Sequence, residues 1–401
     1  MDVHVFLYLA GVFAAAYGSK ALTSRLKIPE VTGYVLLGVL LGSINFLSPT
    51  ILEGLGSLTS IALGIIAFLI GIELRWEVLR KLGKSIIFIV VFEVLVTFGL
   101  VFPALYWGLG ADLNISLLLA AVSSATAPAA TVAVIRQYRA RGPLTSTILA
   151  VVGIDDALAL ILYVFVQGYV SANLLGQNPQ LLVTLGQAGL SVLMSLGIGA
   201  AVAIVYSIIL KKVKNNDWIL MLLASALFLL LGLAELLGIS ELLAAMVFGI
   251  VVANSSPALS KKSEGLVSGF APIFLALFFI LGGAHLDVGL ILAIGLTGLV
   301  YFIARSLGKI GGATLGAFLG GASKTIRTKI GLSLLPQVGV ALALALSISQ
   351  EFTQPRYGQG GQELAQIVIN VLLLTTVATE IVGPLLTRRA LQKAGETQDE
   401  E

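Results

Sequence analysis

The sequence predicts an all-α protein that crosses a membrane many times, and three observations lead there. Hydrophobic residues make up 58% of the chain and charged residues 11%, with a mean hydropathy of +1.02, whereas a soluble domain carries ~25% charged residues. The apolar residues form continuous runs long enough for helical spans of ~20 residues, not the short alternating segments of a membrane β-barrel. All but three of the 24 Lys and Arg residues fall in or beside every second break between those runs or in the C-terminal tail. With no cysteine in the chain, disulfides and thiolate metal sites are excluded.

Thirteen helices are read from the runs, at approximately 3–19, 29–48, 55–72, 85–108, 113–135, 144–170, 180–210, 217–236, 239–253, 265–284, 287–321, 325–349 and 362–387. The second and ninth are short or rich in glycine. Basic residues gather in the odd-numbered breaks and the tail, as in Arg75, Arg80, Lys81 and Lys84, or Lys211, Lys212 and Lys214. The opposite side holds only Arg356, while Arg305 and Lys309 lie inside a span. The positive-inside rule then puts the N-terminus outside and the C-terminus in the cytoplasm. The opening Met1-Asp2-Val3-His4 has no basic leader, so no cleavable signal is expected. No regulatory domain is expected after the short charged tail from Arg388.

An odd count allows two six-helix halves of opposite topology joined by the seventh span, a common transporter plan in which broken helices mark a midplane site. The fifth span contains Ser123-Ser124-Ala125-Thr126-Ala127-Pro128, and the twelfth, its counterpart, contains Leu334-Leu335-Pro336-Gln337-Val338-Gly339. Each proline removes an amide donor and clashes with the preceding turn, so both helices should open there. Broken backbone at membrane depth persists only when buried or lining a polar cavity. Ala127, Pro128, Pro336 and Gln337 are the expected break residues.

The sixth span carries Asp155-Asp156 about twelve residues from its cytoplasmic entry at Gly142-Pro143, ~18 Å at the helical rise and so near the midplane. A charge at that depth costs at least ~3 kcal/mol, and each carboxylate disfavours ionisation of its neighbour. Such a pair points to a bound cation, a proton or a basic partner. Adjacent residues lie ~100° apart around a helix, so one carboxylate is expected to face a cation path and the other a neighbouring helix. A purely structural role is the weaker reading, because buried ion pairs stabilise little. Lys309, in the eleventh span, is the candidate base, since a buried lysine has a labile pKa that a carboxylate restores. Arg305, one turn away, should need a permanent acid, with Glu93 and Glu380 available as a supporting ion network.

Other polar residues receive plainer readings. Glu73, Glu235 and Glu241 fall at helix ends, and His4 and His285 are too few and too distant for a metal site. The glycines from Gly308 to Gly320 permit close helix packing and sliding. Gly308, Gly311 and Gly312 lie inside a span with no preceding strand, so they form no nucleotide fingerprint. Neither a cofactor nor a nucleic-acid partner is expected.

The runs Thr126-Ala-Pro-Ala-Ala-Thr131, Gly153-Ile-Asp-Asp-Ala157 and Arg305-Ser-Leu-Gly-Lys309 resemble the bacterial monovalent cation:proton antiporters, in particular the subfamily holding the NapA sodium/proton antiporters and the Kef potassium efflux systems. That resemblance covers essentially the whole chain. It implies the NhaA fold, a homodimer, and a place in a bacterial or archaeal cytoplasmic membrane. It further implies panel helices within 1–84 and 215–286, a mobile core within 85–170 and 287–388, a connecting helix within 171–214 and a tail at 389–401. Asp156 would bind cation or proton in turn, Asp155 would pair with Lys309 and release it, and Thr126 would add a hydroxyl ligand. Two aspartates imply electrogenic exchange. Ala127 stands where some relatives carry an acid, and Gln337 and Val338 stand where many carry a charged pair.

The expected activity is therefore antiport of a monovalent cation, sodium or lithium, against protons by competition at one site. Potassium antiport is the alternative; no nucleotide-sensing tail like that of the Kef systems is expected, which favours sodium. A sodium-coupled symporter of organic acids would need more polar lining. An ion channel would show repeated pore segments and a symmetric filter, and an enzyme would show a nucleophile–base pair or a metal set.

Overall fold

The computed structural model describes residues 5–26, 30–74, 83–176, 181–255 and 257–397, and every regular element among them is a helix. His4 and the basic residues Lys27, Arg75, Arg80 and Lys81, which entered the topology, lie outside the described residues. In chain order the helices are α1 (Val5–Leu26), α2 (Glu30–Ser43), α3 (Pro49–Gly54), α4 (Gly56–Glu73), α5 (Lys84–Pro103, followed by a π-helical turn, Ala104–Gly108), α6 (Leu113–Ser123), α7 (Pro128–Gln137) and α8 (Pro143–Leu174). After these come α9 (Leu181–Leu210), α10 (Asn216–Leu237), α11 (Glu241–Ser255), α12 (Pro257–Ala284), α13 (Ile291–Leu319), α14 (Lys324–Lys329), α15 (Gly339–Phe352) and α16 (Gly358–Ala394). Eight helices among the described residues are long and apolar enough to cross a membrane. A ninth span results if the pair 324–334 and 339–352, bent by 41°, is taken as one. The second and ninth runs of the sequence are short helices of 14 and 15 residues.

Several boundaries differ from the sequence reading for physical reasons. The tenth run, begun at 265, is a helix from Pro257. Lys261 and Lys262 suggested a loop, but a lysine on a helix can stretch its stem outward, and the Lys262 ammonium donates to the Lys214 carbonyl at 2.7 Å. The last helix extends to Ala394, past Pro384. The fifth span is not one kinked helix. It stops at Ser123 and restarts at Pro128, where a missing N–H leaves nothing unsatisfied because the first helical turn has no partner for it.

Packing sorts the helices into two groups. In one, α2 lies on α12, α4 on α11 and α12, and α1 on α2. In the other, α5 lies along α13, α6 and α8 pack together, and α15 packs on α16. The α5–α13 contact has a sequence cause. A Cβ at Gly312 would meet the Phe92 carbonyl oxygen at 2.6 Å and the Glu93 Cα at 2.8 Å, and one at Gly308 would meet the Thr97 Cα at 2.6 Å. With no side chain there, the two backbones touch, as small residues permit between membrane helices. That contact sets Lys309, next to Gly308, over Glu93. The long helix α9 packs on α8 and α11 and so touches both groups.

Candidate functional site

Two helix breaks face each other inside the second group. The first runs from Ser124 to Ala127 between α6 and α7. The second runs from Leu335 to Val338, between a 3-10 turn at Ile330–Leu334 and α15. They are joined directly, the Ala127 amide donating to the Pro336 carbonyl at 2.8 Å. The Thr131 hydroxyl adds a second tie to the Ser333 carbonyl at 3.2 Å.

Each break leaves carbonyls without the amide four residues on that would normally satisfy them. Arg305 takes three of these, donating from Nε to Ser123 (3.0 Å), from Nη1 to Leu335 (2.8 Å) and from Nη2 to Ala125 (2.9 Å). Lys309 Nζ donates to the Ser124 carbonyl at 2.5 Å. The Gln337 amide donates to the Tyr301 hydroxyl at 2.8 Å and to the Val122 carbonyl at 3.3 Å. The C-terminal end of a half-helix is the negative end of its dipole, so the break carbonyls are the direct partners of the guanidinium. Glu93 and Glu380 act on Arg305 through space, as attracting charges, and not through a direct ion pair among the described residues. Glu380 instead accepts from the Thr32 hydroxyl of α2 at 3.4 Å, a contact between the two helix groups.

The aspartates of α8 sit beside the first break, and both are fully buried. Thr126 serves both. Its amide donates to Asp156 Oδ1 at 3.3 Å, and its hydroxyl donates to Asp155 Oδ2 in a very short hydrogen bond. Asp155 is the carboxylate that approaches a neighbouring helix, lying 3.6 Å from Lys309 of α13, while the break segment running past α8 offers a hydroxyl to Asp155 and an amide to Asp156. Lys309 Nζ donates to the same hydroxyl at 2.6 Å. A hydroxyl offers one donor and two acceptor positions, so Thr126 relays from ammonium to carboxylate.

Lys309 lies 3.6 Å from Asp155 Oδ2 and 2.7 Å from Glu93 Oε1. Its closer carboxylate is thus Glu93, which the sequence reading had assigned to Arg305. Two sequence signals pointed there: the glycines at 308 and 312, which set α13 against α5, and Thr97, one turn after Glu93, whose hydroxyl donates back to it at 3.5 Å. Tyr301 was missed, because nothing in its residue type or its place in an apolar run marks it as the partner of Gln337. One oxygen each of Asp155 (Oδ1) and Asp156 (Oδ2) has no hydrogen-bond partner among the described residues. Oxygen donors of this kind suit a hard cation. No cluster of three His, Cys, Asp or Glu that would hold a multivalent metal occurs among the described residues.

A family model described as "Sodium/hydrogen exchanger, transmembrane" matches residues 11–393. A Na(+)/H(+) antiporter of Enterococcus hirae is 23% identical over 391 residues, 95% of this chain and 96% of that protein. The K(+)/H(+) antiporter subunit KhtU of Bacillus subtilis is 26% identical over 310 residues, 72% of this chain and 71% of that one. Among solved structures, the sodium proton antiporter MjNhaP1 of Methanocaldococcus jannaschii superposes with a TM-score of 0.78 at 19% identity, over 97% of this chain and 98% of that chain. The two chains share a fold.

Proposed function

We propose that this chain, which belongs to the sodium/hydrogen exchanger family, exchanges a monovalent cation for protons across a membrane by alternating access, with sodium as the cation. One observation carries the reading: two buried carboxylates, each with an oxygen unpartnered among the described residues, are held by one residue of a helix break. Buried charge of this density is retained at membrane depth where it handles ions.

Cation and proton compete in this scheme. With Asp155 and Asp156 ionised, their unpartnered oxygens and nearby break carbonyls take up a cation. With protons bound, neither the charge nor the lone pairs are available. Two negative charges against one positive make exchange of more than one proton per cation, and so electrogenic transport, the expectation. The empty doubly charged state is the costly one to move, which couples the two fluxes. Residues 85–170 and 287–388 would move as the core against 1–84 and 215–286, with 171–214 as connector. Two features support that division: the two packing groups, and a site that lies wholly inside one of them.

The thirteen-span inverted repeat and the cytoplasmic C-terminus belong to the same proposal and rest on the sequence pattern; the NhaA fold, the NapA/Kef-like placement and the homodimer belong to it too and rest on the motif resemblance. The test is transport in proteoliposomes under an imposed pH gradient, scanning sodium, lithium and potassium at clamped voltage. Gradient-driven uptake of sodium is expected. Uptake of potassium alone would replace the cation, and no coupled flux of any would refute the reading.

A further inference from the structure

Lys309 has three ammonium protons to place, and the structure places all of them without Asp155. They go to Glu93 Oε1 at 2.7 Å, the Ser124 carbonyl at 2.5 Å and the Thr126 hydroxyl at 2.6 Å. Asp155, at 3.6 Å, is within ion-pair range but beyond hydrogen-bonding distance. Glu93 and Lys309 are both fully buried, so each would be a costly orphan without the other. Glu93 also has capacity to spare, since Oε2 has no partner among the described residues.

We propose that Glu93 is a second berth for Lys309, a positioning residue that holds the ammonium off Asp155 and so sets how readily a cation enters. The proposal rests on the antiport reading above. A cation arriving at Asp155 repels the nearby ammonium, and at short range in a poorly polarisable interior that repulsion is strong. With the cation on Asp155, Glu93 is the carboxylate that keeps the ammonium in the site, beside the Ser124 carbonyl and the Thr126 hydroxyl. Its flexible four-carbon stem allows a shift of about 1 Å, which suffices to trade Glu93 for Asp155. Take Glu93's charge away and Asp155 becomes the sole carboxylate within ion-pair range of the ammonium among the described residues. The cation must then displace a tethered, intramolecular competitor.

The experiment measures sodium dependence of exchange in proteoliposomes for the wild type, E93Q, K309Q and the E93Q/K309Q pair. For E93Q the apparent KM for sodium is expected to rise about tenfold, equivalent to ~1.4 kcal/mol, with the maximal rate largely kept. Because Glu93 acts through Lys309, the same substitution in the K309Q background is expected to leave KM where K309Q alone puts it. A loss of packing alone would lower the maximal rate and the melting temperature in both backgrounds. If E93Q does not yield folded protein, E93D, whose carboxylate is set back by one methylene, is expected to raise KM in the same direction. Sodium-dependent exchange with an unchanged KM in E93Q, or in E93D where that is the variant purified, would overturn the proposal. An equal KM shift in both backgrounds would overturn it too. Absence of any cation-dependent exchange in the wild type would instead sink the antiport reading, and this proposal with it.

Discussion

Thr126 holds the site together, because its amide and hydroxyl reach one aspartate each and its hydroxyl also receives the Lys309 ammonium. Thr126→Val keeps the shape and removes that hydroxyl, leaving a carboxylate oxygen and an ammonium proton without their partner. Leaving buried groups unpaired costs about 1–3 kcal/mol, so a raised KM for the cation is expected, with Thr126→Ser close to wild type. An unchanged KM in the valine variant would remove Thr126 from the ligand set. Lys309→Gln strips the counter-charge from Glu93, for which a loss of ~3–5 kcal/mol is expected. Adding Glu93→Gln should recover much of it, and additive losses in melting temperature would contradict the contact. The charged residues themselves were legible, because Asp155, Asp156, Arg305 and Lys309 interrupt apolar runs. Their pairings were not, because a single sequence does not give the rotation of one helix against another. Arg305 shows a further limit: its partners are the Ser123, Ala125 and Leu335 carbonyls, which no residue type announces.

At the scale of elements, the two breaks and the α5–α13 contact place the site. Both breaks could be read from Pro128 and Pro336, and of the two residues expected at the first opening Ala127 lies within it while Pro128 begins the next helix. The opening covers Ser124–Ala127 and ends at Pro128, since proline starts a helix more readily than it sits inside one. The glycines of α13 were legible as a packing stripe, though not as the device that sets Lys309 over Glu93. Gly312→Ala should push α13 off α5, because the new methyl would meet backbone atoms of Phe92 and Glu93. Overpacking of this kind costs about 1–3 kcal/mol, and both a lower melting temperature and weaker cation binding are expected. A melting curve that matches the wild type would show that the contact relaxes freely. A second element-level contact was invisible in the sequence. Glu396, beyond α16, accepts from the Leu144 and Thr145 amides at 2.8 and 2.7 Å and caps the entry of the aspartate helix α8.

For the whole molecule, the all-helical, many-span character was legible because it depends on composition and run length alone, whereas relative motion leaves no such trace. The contact between Thr32 of α2 and Glu380 of α16 crosses the two helix groups, and a core moving against a panel has to break it. The chain has no native cysteine, so Thr32→Cys with Glu380→Cys can be bridged through two mixed disulfides by a short bis-methanethiosulfonate. Bridging is expected to stop exchange and reduction to restore it, while full activity of the bridged protein would show that this pair does not move apart.

The central claim, that cation and proton share the buried aspartates, is tested most directly by Asp156→Asn in proteoliposomes under an imposed pH gradient, with transport current recorded beside the wild type. The amide keeps the shape of the carboxylate but neither carries a proton nor offsets a cation's charge. The expected result is a folded protein with no gradient-driven cation uptake and no transport current. Cation uptake that persists in the purified variant would contradict the account.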